Sequence, residues 1–123
     1  MIGKSVLLAA ALAVVLSAGA GPASACSCVR LTAAQMAAET PVLFEGEVVS
    51  ARRIDEHHQV TTFRITRAIK GISGPTAEVE SGVVDAACGY TFDGDVKGKL
   101  IGAERDARGV LTTNRCKMML LNQ

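Results

Sequence analysis

The chain has 123 residues, 13 Lys and Arg against 12 Asp and Glu, four cysteines, three Phe, one Tyr and no Trp. That length is one domain's worth, and the near-neutral charge excludes the basic surface field that a nucleic-acid partner requires. With so few aromatics the core must be mainly aliphatic, and a domain of this size gains from covalent staples.

Met1-Ile2-Gly3-Lys4 opens the chain with one positive side chain, followed by an apolar stretch from Val6 to Leu16 and small residues up to Pro22. Ala23-Ser24-Ala25 is a small-x-small cleavage pattern. This order predicts a secretory signal peptide over residues 1–25 and a finished chain of residues 26–123 that begins at Cys26. The apolar run is short for a membrane anchor, which needs ~20 residues. A lipoprotein signal also ends in Ala-Cys, but Ala23 stands where such signals usually carry a large aliphatic residue. The expected location is secreted, periplasmic or extracellular, with no membrane association unless Cys26 is acylated.

Cys26, Cys28, Cys88 and Cys116 all follow the cleavage pattern, and an even number in a small exported domain predicts two disulfides. A Cys26–Cys28 bridge would close a very tight ring, which leaves two pairings, each tying the N-terminus to two distant places. Residues i and i+2 of an extended segment share a side, so both cysteines can be pulled inward with Ser27 facing outward. A zinc site on the four thiols is disfavoured because structural zinc sites prefer C-x2-4-C pairs and only one close pair exists. The Cys-x-x-Cys of thiol redox catalysis is absent.

The finished chain starts with an Ala-rich helix over Leu31–Glu39, with Thr32 as N-cap and Pro41 as stop. Val42–Ala51 alternates, with Val42, Phe44, Gly46 and Val48 on one face and Glu45 and Glu47 on the other, so it reads as a half-buried strand. Arg52–Gln59 reads as a hairpin tip and Val60–Ile69 as a second strand. Gly71, Gly74 and Pro75 mark a turn before a short strand at Thr76–Ser81. Gly82–Gly98 reads as connection, Lys99–Ala103 and Val110–Thr113 as the last strands, and Lys117–Gln123 as a short terminal helix. Five short strands with one or two helices predict a small antiparallel barrel of the oligonucleotide/oligosaccharide-binding type, a mainly β fold.

Other clusters have plainer readings. His57-His58 beside Asp55-Glu56 is a solvated turn, Glu45 and Glu47 are an outward strand face, and Met118-Met119 is packing. No nucleophile, acid/base or metal constellation points to an enzyme, and no cofactor is expected.

Cys26-Ser27-Cys28, VLFEGEVVSA at 42–51, FRITRAIKG at 63–71, Cys88-Gly89-Tyr90 with Phe92, and GVLTTNRC at 109–116 occur in the order found in the tissue inhibitors of metalloproteinases. The chain resembles that family and the related netrin-like domains. The resemblance implies an oligonucleotide-binding-type barrel with Cys26 paired to Cys88 and Cys28 to Cys116. It also implies that the freed amine and the carbonyl of Cys26 chelate the catalytic zinc of a target protease, the only metal role expected. Ser27 would face the protease's specificity pocket, Val29 would add apolar contact beside it, and the loop Val83–Ala87 just before Cys88 would widen the contact. Arg30 stands where the animal inhibitors commonly carry proline. The resemblance thus implies a monomer that acts on a zinc metalloprotease. The alternative is a netrin-like module that binds another extracellular protein.

Overall fold

The fold follows from how each segment ends. In the computed structural model, which describes residues 26–93 and 96–123, the first helix (α1, Ala33–Glu39) is set by a reciprocal cap. The Gln35 N–H donates to Thr32 Oγ1 at 3.1 Å, and the Thr32 N–H donates to Gln35 Oε1 at 2.8 Å. At the other end the Thr40 hydroxyl donates to the Met36 carbonyl at 2.7 Å. Lys70 Nζ donates to the Ala37 carbonyl, also at 2.7 Å. A cation is favourable at these free carbonyls, and Pro41 prevents further winding. The expected signal peptide, residues 1–25, lies outside the described residues.

Strands β1 (Val42–Arg53) and β2 (His58–Lys70) form a long antiparallel hairpin, and β2 pairs antiparallel with β3 (Thr76–Gly82). Three register irregularities in β1–β2, at Leu43/Phe44, Glu45/Gly46 and Val48/Ser50, bend the hairpin as bulges do. After a 3₁₀ turn (Asp85–Ala87), β4 (Ile101–Arg105) pairs with the start of β1, and β5 (Leu111–Thr113) fills the gap between β4 and β3. The barrel closes in the order β1-β2-β3-β5-β4. A second helix (α2, Arg115–Leu121) follows.

The expected five-stranded barrel is present, mainly β, with two short helices and two disulfides. One detail is corrected: the barrel is not antiparallel throughout. β3 and β5 run parallel, with Val79 opposite Leu111 and Ser81 opposite Thr113. The reason is parity, because direction cannot alternate all the way around a closed ring of five. Strand limits also shift. The hairpin tip shrinks because β1 and β2 stay paired out to Arg53 and Gln59, and the terminal helix begins at Arg115 rather than Lys117.

Inside the barrel, Val42, Phe44, Phe63, Val79, Ile101 and Ala103 are all but inaccessible. The four aromatics form one connected run. Phe44 and Phe63 lie 5.6 Å apart, Phe63 and Phe92 4.9 Å, and Tyr90 and Phe92 4.8 Å, each pair edge-to-face. Such geometry adds ~0.5–1.5 kcal/mol per pair beyond burial. Outside, the cross-strand partners Glu45–Arg67 and Glu47–Arg64 form ion pairs, so the two glutamates serve the exposed strand face. Pairs as exposed as these contribute little to stability.

Leu43 breaks the alternation and is buried although it falls on the outer face. Its register partner is Gly102, and over Gly102 lie Leu121, Thr40 and Lys117. A side chain at Gly102 would collide with Leu121, so glycine there lets α2 lie directly on β4. Met118 and Leu121 are buried beneath α2, whereas Met119 is 57% exposed. Of the Met118-Met119 pair, only the first packs. Among the described residues no helix is long and apolar enough to cross a membrane.

Candidate functional site

Residues 26–31 have no regular structure of their own, so something else must hold them against the barrel. Two disulfides do so: Cys26–Cys88, with Cα atoms 4.9 Å apart, and Cys28–Cys116, with Cα atoms 5.3 Å apart. These are the pairs the family resemblance implies. They span 62 and 88 positions of chain. Closing loops of that length stabilises the fold by about 4–5 kcal/mol each in the chain-entropy account. Cys26 and Cys28 are half-buried while Ser27 and Val29 are exposed, Val29 to 70%. Burial thus alternates along these four residues, as i and i+2 positions sharing a side require.

Cys88 is placed by the 3₁₀ turn. The Ala87 N–H donates to the Val84 carbonyl and the Cys88 N–H to the Asp85 carbonyl, both at 3.1 Å. Cys88 then takes a left-handed conformation, with φ +61°. The Gly89 and Tyr90 N–H groups reach back to the carbonyls of Val84 and Gly82 at 2.9 and 2.8 Å, which folds the segment onto the end of β3. Ala87 is exposed at the tip of this turn.

Cys116 is placed by the first turn of α2. Asn114 caps that helix, its Oδ1 accepting from the Lys117 N–H at 2.9 Å. The Arg115 N–H donates to the Cys88 carbonyl at 2.9 Å, and the Arg115 guanidinium donates to Asp85 Oδ1 at 2.6 Å. These two bonds link the helix start to the 3₁₀ turn independently of any sulfur. The far end of α2 is fixed by Asn122, which bonds both the N–H and the carbonyl of Leu100. Gln123 Nε2 donates to the Leu31 carbonyl at 2.7 Å, which ties down the chain just beyond the cysteine segment.

The result is a ridge at one end of the barrel. It joins Cys26, Ser27, Cys28 and Val29 through the bridges to Cys88, which follows the exposed Ala87, and to Cys116. The two bridges touch. Cys26 Sγ lies 3.6 Å and Cys88 Sγ 4.0 Å from Cys116 Sγ, and no cysteine is free among the described residues.

Next to the ridge lies an open hollow of about 560 Å³, lined by His57, His58, Gly82, Val84, Ala87, Cys88, Thr113 and Asn114. The histidines, read as a solvated turn, are exposed and line this hollow together with Ala87 and Cys88, so they border the ridge. The His57 N–H, and then the His58 ring nitrogen 3.0 Å away, hold the Asp55 carboxyl below its ordinary range. Thr113 and Asn114 were not singled out from the sequence. An Asn directly ahead of a helical run was the available signal for Asn114. Glu45 and Glu47 lie on the outer strand face with their arginines.

Family models and curated proteins return no match to this chain.

Proposed function

We propose that the protein is an exported inhibitor of zinc metalloproteases that acts through the free N-terminus of Cys26. The reading rests on one observation: two disulfides hold residues 26–29 on the barrel end, with Cys26 and Cys28 half-buried and Ser27 and Val29 exposed.

Removal of residues 1–25 would free the Cys26 amine. Amine nitrogen and carbonyl oxygen of one residue close a five-membered ring on a metal ion. An N-terminal amine has a pKa of about 7.7–8.0, so part of it is neutral near neutral pH, and a metal displaces the remaining proton. A catalytic zinc keeps one coordination position open for water. Occupation of that position by the Cys26 chelate would expel the attacking water and stop hydrolysis. The Ser27 hydroxyl would meet the protease's catalytic acid/base, Val29 would add apolar contact, and Ala87 and Cys88 would widen the footprint. Because the bridges already order the segment, little conformational entropy remains to be lost on docking.

Two forms of the protein test the idea: one beginning at Cys26, the other carrying one additional alanine ahead of it. Both are assayed against a panel of zinc proteases. Inhibition by the first and its loss in the second is the expected result. Absence of inhibition by both, with an unchanged circular dichroism spectrum, would replace this reading with that of a netrin-like module that binds other extracellular proteins. Intact-mass analysis of the exported protein checks the premise, since an acylated Cys26 has neither a free amine nor a sulfur available for bridging.

A further inference from the structure

In the sequence only Cys26 and Cys28 lie close together, which is poor spacing for a zinc finger. Folding weakens that objection by bringing three of the sulfurs together with the fourth, that of Cys88, at their edge. Between the two bridges the sulfur contacts are 3.6 Å (Cys26–Cys116) and 4.0 Å (Cys88–Cys116). The sulfurs of Cys26, Cys28 and Cys116 all lie within 4.8 Å of one another. A tetrahedral zinc tetrathiolate with Zn–S near 2.3 Å has sulfur–sulfur edges of about 3.8 Å. The Cys26–Cys116 and Cys88–Cys116 contacts bracket that edge, whereas Cys88 stands outside the set of three and must move toward Cys28 on reduction. Reduction would let the bonded sulfurs move apart to the same separation by rotation of their side chains.

Half of such a site does not depend on the bridges. Cys88 is positioned by the 3₁₀ turn and Cys116 by the capped first turn of α2. The Arg115–Cys88 backbone bond and the Arg115–Asp85 ion pair join these two elements.

We propose that the reduced protein binds one zinc ion on the thiolates of Cys26, Cys28, Cys88 and Cys116, so that a metal closes the ridge wherever the disulfides do not. Two molecules of a dithiol reductant pass four electrons and four protons to the two S–S bonds and become disulfides themselves, leaving four cysteine thiols. Zinc then displaces four protons and is held as a tetrathiolate of net charge −2. Two molecules of a small disulfide reverse the sequence by thiol–disulfide exchange: they accept the four electrons and, with four protons, become dithiols, the protein sulfurs rejoin in pairs and the ion leaves. The chain would therefore carry zinc in a thiol-reducing environment and disulfides in an oxidising one. The proposal does not rest on protease inhibition and concerns an ion held by the chain itself.

Full reduction of the purified protein with a dithiol, removal of the reductant by gel filtration without oxygen, and titration with cobalt(II) provide the test. Expected are the intense visible bands of tetrahedral thiolate-bound cobalt, saturating at one metal per chain and bleached by zinc. Circular dichroism should return to that of the oxidised barrel as metal is added. Single Cys→Ser changes at positions 88 and 116 should weaken binding by more than the roughly 10–100-fold that loss of an outer-shell partner costs. The proposal is overturned if no tetrahedral cobalt spectrum develops. It is equally overturned if the spectrum develops while the chain stays unfolded, or if the Cys88→Ser and Cys116→Ser proteins bind as the parent does.

Discussion

Gly89 lies against Val84 so closely that a Cβ at position 89 would stand 2.7 Å from both the nitrogen and the carbonyl oxygen of Val84, and 2.7 Å from the Gly82 oxygen. All three obstacles are backbone, in the turn that presents Cys88, so none can swing aside. Gly89→Ala should therefore destabilise the fold by roughly 1–3 kcal/mol, the usual cost of overpacking. Gly82→Ala is the control, since its Cβ would find only ordinary contacts at 3.6 and 3.7 Å. Thermal unfolding distinguishes them, with ~4–8 °C lost per kcal/mol for a domain of this size. Equal melting temperatures for the two variants would contradict the packing account.

The bridges carry much of the stability. Replacing Cys28 and Cys116 together by serine removes one clamp and leaves Cys26–Cys88 intact. The expected loss is about 2–5 kcal/mol, read from urea unfolding. Proteolysis of the oxidised variant should begin in residues 27–31, because that segment has no strand or helix pairing of its own. A variant as stable as the parent would mean that packing alone holds the segment.

The two helix caps should behave differently. Asn114→Ala removes the acceptor for the Lys117 N–H and loosens a helix that buries Met118 and Leu121, so global stability should fall by about 1 kcal/mol. Thr32→Ala removes an equivalent bond from α1, but α1 buries none of its residues. Its loss should appear as faster amide exchange at Gln35 and Met36 with little change in the unfolding midpoint.

Acid should find a weak point in the β4–β5 turn. Partial burial pushes the Asp106 carboxyl up, but the N–H groups of Val110 and Arg108 and the Arg108 guanidinium outweigh it and hold the carboxyl below its ordinary 3.8. A depressed folded-state pKa stabilises the fold above pH 3.8 and ceases to do so as pH falls through the lower, folded value. The stability difference between the parent and Asp106→Asn should thus be largest near neutral pH and shrink in strong acid. Equilibrium unfolding of both proteins across that range checks the sign; a gap that widens toward acid would refute it.

Period-2 alternation at Val42–Val48 and the turn residues Gly71, Gly74 and Pro75 made the strands readable, because burial of one sheet face is a local signal. The Thr32 cap was readable for the same reason, since its partner Gln35 is three residues away. Leu43 was not readable: its burial depends on Gly102 and Leu121, which are distant in the chain. Nor was Lys70 as a brace for α1, because the carbonyl it meets belongs to Ala37, across the fold.

By itself the sequence determined which segments become strands and helices, and that Cys26 and Cys28 face one way with Ser27 the other, since these depend on neighbours along the chain. Only the tertiary structure decided that the closed ring of five strands contains a parallel pair, that the histidines line the hollow beside the ridge, and that the two disulfides touch through Cys116. Each of these depends on the distance between residues tens of positions apart, and closure of the barrel, rather than any local preference, sets that distance.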